Sequence, residues 1–200
     1  YWRKNSAATR LGQNINDVEN AVKKQDMIYF SGITLAILDP SSRNNLFSCL
    51  KSVRRAGKKI AFDPNLRPKL WSDKKEMCDV IMAGAKLSDI ILPSFEDEKT
   101  WFSDADPMST LKRYRKVGAE IVVVKNAGEP VSFISNQGAG THPVETIRTA
   151  VDSTAAGDSF NSEILVGILR NIPLTEAIRN GVNLAKKVIM GHGALIKNDI

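Results

Sequence analysis

The chain has 200 residues, 42% apolar and 25% charged, with 28 Lys and Arg against 22 Asp and Glu, for a formal net charge of +6. This is enough chain for one sizeable core, while no apolar run reaches the length of a membrane span. Cys49 and Cys78 have no metal-ligand spacing and are too few for a disulfide framework, which points to a reducing, cytoplasmic setting. The basic residues are spread along the chain without interleaved aromatics, so a surface tolerant of small anionic ligands is expected rather than nucleic acid or a membrane.

In chain order, Tyr1-Trp2-Arg3 places two large aromatics at a start without Met. A frayed terminus would waste that surface, so an N-terminal portion is expected to be missing. Residues 14–25 carry Ile15, Val18 and Val22 on one helical face. Met27 to Ser31 is a strand expected to end at Gly32, and a helix over 41–56 is stopped by Gly57. Lys59 to Phe62 is the next strand. Asp63-Pro64-Asn65-Leu66-Arg67-Pro68 leaves it as a loop whose prolines delay the next helix.

A helix over 73–87, a strand over 89–92 and a loop with a short helix over 93–102 follow. Then come a helix over 107–117 closed by Gly118 and the strand Ile121 to Val124. A hairpin section takes Val131 to Ser135, a turn at Gly138-Ala139-Gly140 and an edge strand near Thr146. The last helix, 174–190, turns Ala177, Ile178, Val182, Ala185 and Val188 inward. Short apolar strands alternating with helices predict an α/β fold in one domain, a mostly parallel sheet with helices on both faces.

The chain is organised around Asp152-Ser153-Thr154-Ala155-Ala156-Gly157-Asp158. Directly after it, Phe160, Ile164, Leu165, Ile168 and Leu169 have the spacing of a buried helix face. The small residues therefore sit at a helix start, where the first N–H groups lack partners and the macrodipole favours an anion. A carboxylate inside such a cradle repels phosphate unless it has a task, such as accepting a proton from an attacking hydroxyl. The competing reading is that Asp158 caps a core helix and Ala-Ala-Gly packs tightly.

In open α/β sheets ligands bind beyond the carboxyl ends of the strands. That rule selects Asp63, Asn65 and Arg67, then Ser94 and Asp97, then Lys125 and Asn126, then Asp152 to Asp158. Neither a P-loop nor Gly-x-Gly-x-x-Gly after a strand is present, and Ser159 has no histidine at a spacing that suits a hydrolase triad. His142 and His192 suit surface or packing roles. Asp-Pro-Asn is also ordinary turn chemistry, but an arginine held between two prolines loses less entropy on gripping an anion.

These residues resemble the ribokinase-like (PfkB-type) carbohydrate kinases, and most closely the 2-keto-3-deoxygluconate kinases. The blocks are Tyr1-Trp2-Arg3, Tyr29-Phe30-Ser31-Gly32-Ile33, Phe62 to Pro68 with Trp71, Val122-Val123-Val124-Lys125, and Asp152 to Asp158. The resemblance implies a three-layer α/β/α fold lacking its N-terminal part and most of its lid. It also implies transfer of phosphate from ATP, with Mg²⁺, to the terminal hydroxyl of a sugar acid. Asp158 would be the base, and the N–H groups from Ala155 through Ala156 and Gly157 to Asp158 the anion hole. Tyr1, Arg3 and Arg67 would hold the sugar acid; Asn65, Arg67, Lys125 and Gly128 would line the nucleotide. Asp97 would hold Mg²⁺ through water.

The chain departs from the family's Asn-x-x-Glu with Ser94-Phe95-Glu96-Asp97, and it has Ser162-Glu163 where small residues are usual. The alternatives are another PfkB-type sugar kinase, of the ribose or fructose type, and a non-catalytic sugar-acid or nucleotide-binding module. The partners are then a sugar acid and ATP, with a homo-oligomer of the full-length parent as a further expectation.

Overall fold

A computed structural model describes residues 6–145 and 150–194. The chain forms two compact units, one from residues up to Val124 with Phe133–Gly138, the other from Lys125–Ser132 with the residues from Ala139 on.

In the first unit, strands β1 (Met27–Ser31), β2 (Lys59–Asp63), β3 (Ile90–Ile91) and β4 (Ile121–Val124) lie side by side in chain order, all parallel. Ser31 is level with Asp63, Phe62 with Ile91, and Ile91 with Val122. Parallel neighbours need long crossovers, and helices supply them. Between β1 and β2 run α2 (Gly32–Ile37) and α3 (Pro40–Arg55), between β2 and β3 runs α4 (Lys74–Lys86), and between β3 and β4 run α5 (Phe95–Phe102) and α6 (Pro107–Lys116). Helix α1 (Ile15–Lys23) precedes β1 with Val18 and Val22 buried. The sheet has six strands, with β5 (Val131–Ser135) and β6 (Gly138–His142) following in order.

The core of this unit is Leu35, Leu50, Ile60, Phe62, Met77 and Ile81, all fully buried. Each such side chain contributes about 1.5–3 kcal/mol by leaving water. Phe30 and Phe62 stack with ring centroids 4.6 Å apart. Helices α3, α4 and α6 each begin on an aspartate, Asp39, Asp73 and Asp106, whose carboxylate accepts the N–H of Ser42, Glu76 and Ser109. In α5 Glu98 is wholly buried and accepts hydrogen bonds from Arg113 and the Tyr114 hydroxyl of α6. Cys49 and Cys78 are both free thiols.

The second unit packs α7 (Ala156–Leu169) on α8 (Leu174–Ile189). Two glycines permit the approach: a Cβ on Gly167 would lie 2.6 Å from Ala177, and one on Gly181 2.9 Å from the Phe160 ring.

Three expectations are corrected. Gly32 does not simply end β1: it opens α2, because Ser31 accepts the Thr34 N–H and the Thr34 hydroxyl accepts the Ser31 N–H, a reciprocal cap. Gly138-Ala139-Gly140 is not a turn but the start of β6; the reversal falls on Asn136 and Gln137, whose N–H donates to the Ser135 hydroxyl. Leu169 does not face inward: it is 52% exposed, and Leu165 and Ile168 are half-buried. The buried stripe is Phe160, Asn161, Ile164 and Gly167. In α8, Ala177, Ile178, Val182 and Val188 are buried and Ala185 is half-buried. The strand expected near Thr146 lies outside the described residues.

Candidate active site

In the first unit β2 delivers its last residue, Asp63, to the sheet edge with 4% of its surface exposed. The chain then enters an unusual loop. Asn65 has φ 29° and Arg67 φ 45°; asparagine tolerates the left-handed region, but arginine rarely enters it, at a cost of order 1–3 kcal/mol. Residues held in this way must be over-determined by their surroundings. Gly32 approaches so closely that a Cβ there would lie 1.8 Å from the Pro64 carbonyl oxygen. Leu66 is fully buried, and Trp71 donates its indole N–H to the Leu66 carbonyl at 2.7 Å.

Asp97, in the first turn of α5, belongs to the same cluster. Burial pushes its carboxyl up, while a hydrogen bond from the Leu66 backbone and the Arg67 cation pull it down, and Asp63 pushes it up again. Arg67 and Asp63 are therefore both within electrostatic reach of Asp97. Ser94 begins α5 without a side-chain cap; its carbonyl accepts the N–H groups of Asp97 and Glu98. Among the described residues no group of three or more His, Cys, Asp or Glu side chains forms a metal cage.

In the second unit Lys125 donates to the Asn161 side chain at 2.9 Å, joining the residue after β4 to α7. Asn161 is 1% exposed in an apolar stripe. Ala127 (φ 42°) and Gly128 (φ 94°) form a tight turn closed by the Glu129 N–H on the Asn126 carbonyl.

The turn before α7 is anchored from behind. Asp152 accepts the Thr154 N–H at 2.8 Å and the Gly193 N–H at 2.9 Å. Hydrogen bonds from Thr154 first, then Gly193, hold its carboxyl down at about 2. The N–H groups of Val151 and Asp152 donate to the Ile189 carbonyl at the end of α8.

The helix then starts at Ala155, left-handed with φ 61° and without a side-chain cap. The Ala156 N–H donates to the Ser153 carbonyl. Among the described residues the N–H groups of Gly157 and Asp158 donate to no backbone carbonyl.

Asp158 is exposed and is the third residue of α7. It is not the cap, because Ala155 occupies that position. Nor is Gly157 there for packing, because a Cβ on it would meet nothing within 4 Å. A small residue facing open space at an uncapped helix start leaves room for a ligand against the backbone.

Tyr1 and Arg3 lie outside the described residues. Sequence reasoning gave no site role to Gly32, to Trp71 as a donor, or to Asn161. The available signal for Asn161 was a polar residue at a buried helical position between Phe160 and Ile164.

The chain matches the pfkB family carbohydrate kinase over residues 1–200. It is 37% identical over 201 residues to a 2-dehydro-3-deoxygluconokinase of Haemophilus influenzae, covering 98% of this chain and 64% of that protein. A PfkB protein from Polaromonas is 28% identical with a TM-score of 0.80, covering 96% of this chain and 62% of that one. An aminoimidazole riboside kinase from Salmonella enterica, solved with aminoimidazole riboside and an ATP analogue, is 25% identical with a TM-score of 0.73, covering 84% and 57%. The chain thus spans just under two thirds of the length of the curated relative it matches. The match over its whole length, joined to the helix-covered parallel sheet, means that the chain belongs to the pfkB family of carbohydrate kinases.

Proposed function

We propose that the protein carrying this chain transfers the terminal phosphoryl group of ATP to the terminal hydroxyl of 2-keto-3-deoxygluconate. The observation that carries this reading is the start of α7: an uncapped turn with Ala155 left-handed, Gly157 open to solvent, and the Asp158 carboxylate exposed at the third position. The 37% identity to a 2-dehydro-3-deoxygluconokinase supports the choice of substrate.

In this reading Asp158 accepts the proton of the sugar hydroxyl as that oxygen attacks phosphorus. The N–H groups of Gly157 and Asp158 take up charge developing on the transferred group. Arg67 offers a planar fork for a carboxylate or phosphate, and Lys125, fixed by Asn161, offers a point charge toward the nucleotide.

Magnesium fits the residues present in one manner. Mg²⁺ keeps several waters and takes one or two carboxylates beside substrate phosphates; Asp97, half-buried with Asp63 in electrostatic reach, suits a water-mediated hold and not a direct cage. When bound, the ion would neutralise phosphate charge. Among the described residues no helix is long and apolar enough to cross a membrane, and a cytoplasmic site of action is proposed.

The test is ADP release by the full-length protein across 2-keto-3-deoxygluconate, related sugar acids, ribose and fructose. Preference for the sugar acids is expected. Equal or better turnover of ribose would leave a general sugar kinase, and nucleotide binding without ADP release would leave a non-catalytic module.

A further inference from the structure

We infer that Trp71 and Arg43 are positioning residues for Arg67, acting through the peptide group that joins Leu66 to Arg67. The inference rests on the reading above that Arg67 binds an anion.

Arg67 must be kept at φ 45°, and the peptide group that it shares with Leu66 is fastened. The Leu66 carbonyl, which belongs to that group, accepts the Trp71 indole N–H at 2.7 Å. That peptide group can rotate, and Arg67 relax toward an extended backbone, only if the indole bond breaks.

The indole ring is in turn held by Arg43. This arginine is 9% exposed, and its guanidinium carbon lies 5.4 Å from the Trp71 ring centroid. All three nitrogens are used. Nε donates to the Leu35 carbonyl at 3.0 Å, Nη2 to the Leu38 carbonyl at 3.2 Å, and Nη1 to Glu76 at 3.3 Å. The other Glu76 oxygen accepts the Ser72 hydroxyl at 2.7 Å, next to Trp71 in sequence.

Arg43 thus ties the end of α2 to the start of α4. The start of α2 meets the same loop, at Gly32 against the Pro64 carbonyl. A cation so deeply buried is costly to place. Here its hydrogen bonds hold the guanidinium beside the ring whose N–H fixes the carbonyl before Arg67.

The experiment is a double-mutant cycle in the full-length protein: Trp71→Phe, Arg67→Ala and the pair, with Arg43→Lys as a second probe. KM for 2-keto-3-deoxygluconate, Kd for ATP, kcat and Tm are read for each. Trp71→Phe keeps an aromatic ring under Arg43 but removes the pyrrole half of the indole with its N–H, and the Tm of the variant reads the packing that goes with it. It should weaken whichever anion Arg67 contacts about 2- to 10-fold, the range of one hydrogen bond, with kcat nearly unchanged. In the Arg67→Ala background the same change should have no further effect on that affinity, the mark of action through Arg67. Arg43→Lys keeps charge but loses the flat fork, and should shift affinity in the same direction.

Additive effects, a lower Tm with unchanged affinities, or an Arg67→Ala variant with normal KM and Kd would each overturn the inference. If the wild-type protein fails to turn over the sugar acid, the substrate reading falls. The cycle read in ATP affinity still decides the positioning role, with coupling supporting it and additivity overturning it.

Discussion

The helix starts of the two units differ in kind. In the first, α3, α4 and α6 open on Asp39, Asp73 and Asp106, each with its carboxylate turned back onto the helix's own N–H groups. In the second, α7 opens on a left-handed alanine, and its aspartate sits one turn inward and exposed. The first arrangement uses acid side chains to close the helix. The second leaves the helix end open and places a negative charge where the dipole tolerates it. Helices α5 and α8 also lack a side-chain cap, on Ser94 and Pro173; α5 is the helix that carries Asp97. Of the open starts, those of α5 and α7 carry candidate chemistry, one in each unit, and that of α8 carries none; the closed aspartate starts serve the fold.

Substitutions can break that contrast. The largest effect is expected at Asp158: Asn there should lower turnover by roughly 10²–10⁴-fold, the usual contribution of a general base, with nucleotide affinity held or improved because a charge near phosphate is gone. Arg67→Ala should weaken binding of its anionic partner by about 1.5–3 kcal/mol, the range for a charged hydrogen bond, read by calorimetry. Gly32→Ala forces a Cβ onto the Pro64 carbonyl, and should cost about 1–3 kcal/mol of stability together with some loss of anion affinity, because the shifted backbone is the loop of Arg67. Both readouts must move; a stability loss with affinity intact would uncouple Gly32 from the site.

The smallest effect is a pH dependence. Burial pushes the Glu98 carboxyl up to about 7, against the pull of Arg113. The folded chain then holds that proton more tightly than the unfolded chain does. The stabilisation is full below the unfolded value of 4.5 and is lost as pH rises through about 7. Denaturant melts between pH 5 and 8 should show stability falling by on the order of 1 kcal/mol. Glu98→Gln should flatten that slope.

Much of the fold was legible because its elements are periodic. Val18 and Val22 mark α1, and Ile121 to Val124 reads as a buried strand by its branched side chains. Gly32 was misread because glycine is usually punctuation, whereas here it permits close packing against Pro64 while Ser31 and Thr34 start a helix. Leu169 was misread because apolar character does not say how wide the covering surface is.

At the candidate site, the polar residues after each strand were legible from the rule for open sheets. Their supports were not. The Trp71 bond to Leu66, the Lys125 bond to Asn161 and the Asp152 bond to Gly193 depend on side-chain direction or on neighbours far along the chain, and no local pattern encodes them.

The most direct test of the account places two aspartates side by side: Asp73→Ala at a closed helix start and Asp158→Asn at the open one, each in the full-length protein, with Tm and single-turnover rate measured on both. The account predicts that Asp73→Ala, which removes the cap acceptor of the Glu76 N–H, lowers Tm and keeps its rate, while Asp158→Asn keeps its Tm and loses its rate. A destabilised Asp158→Asn variant that still transfers phosphate at the wild-type rate would contradict it.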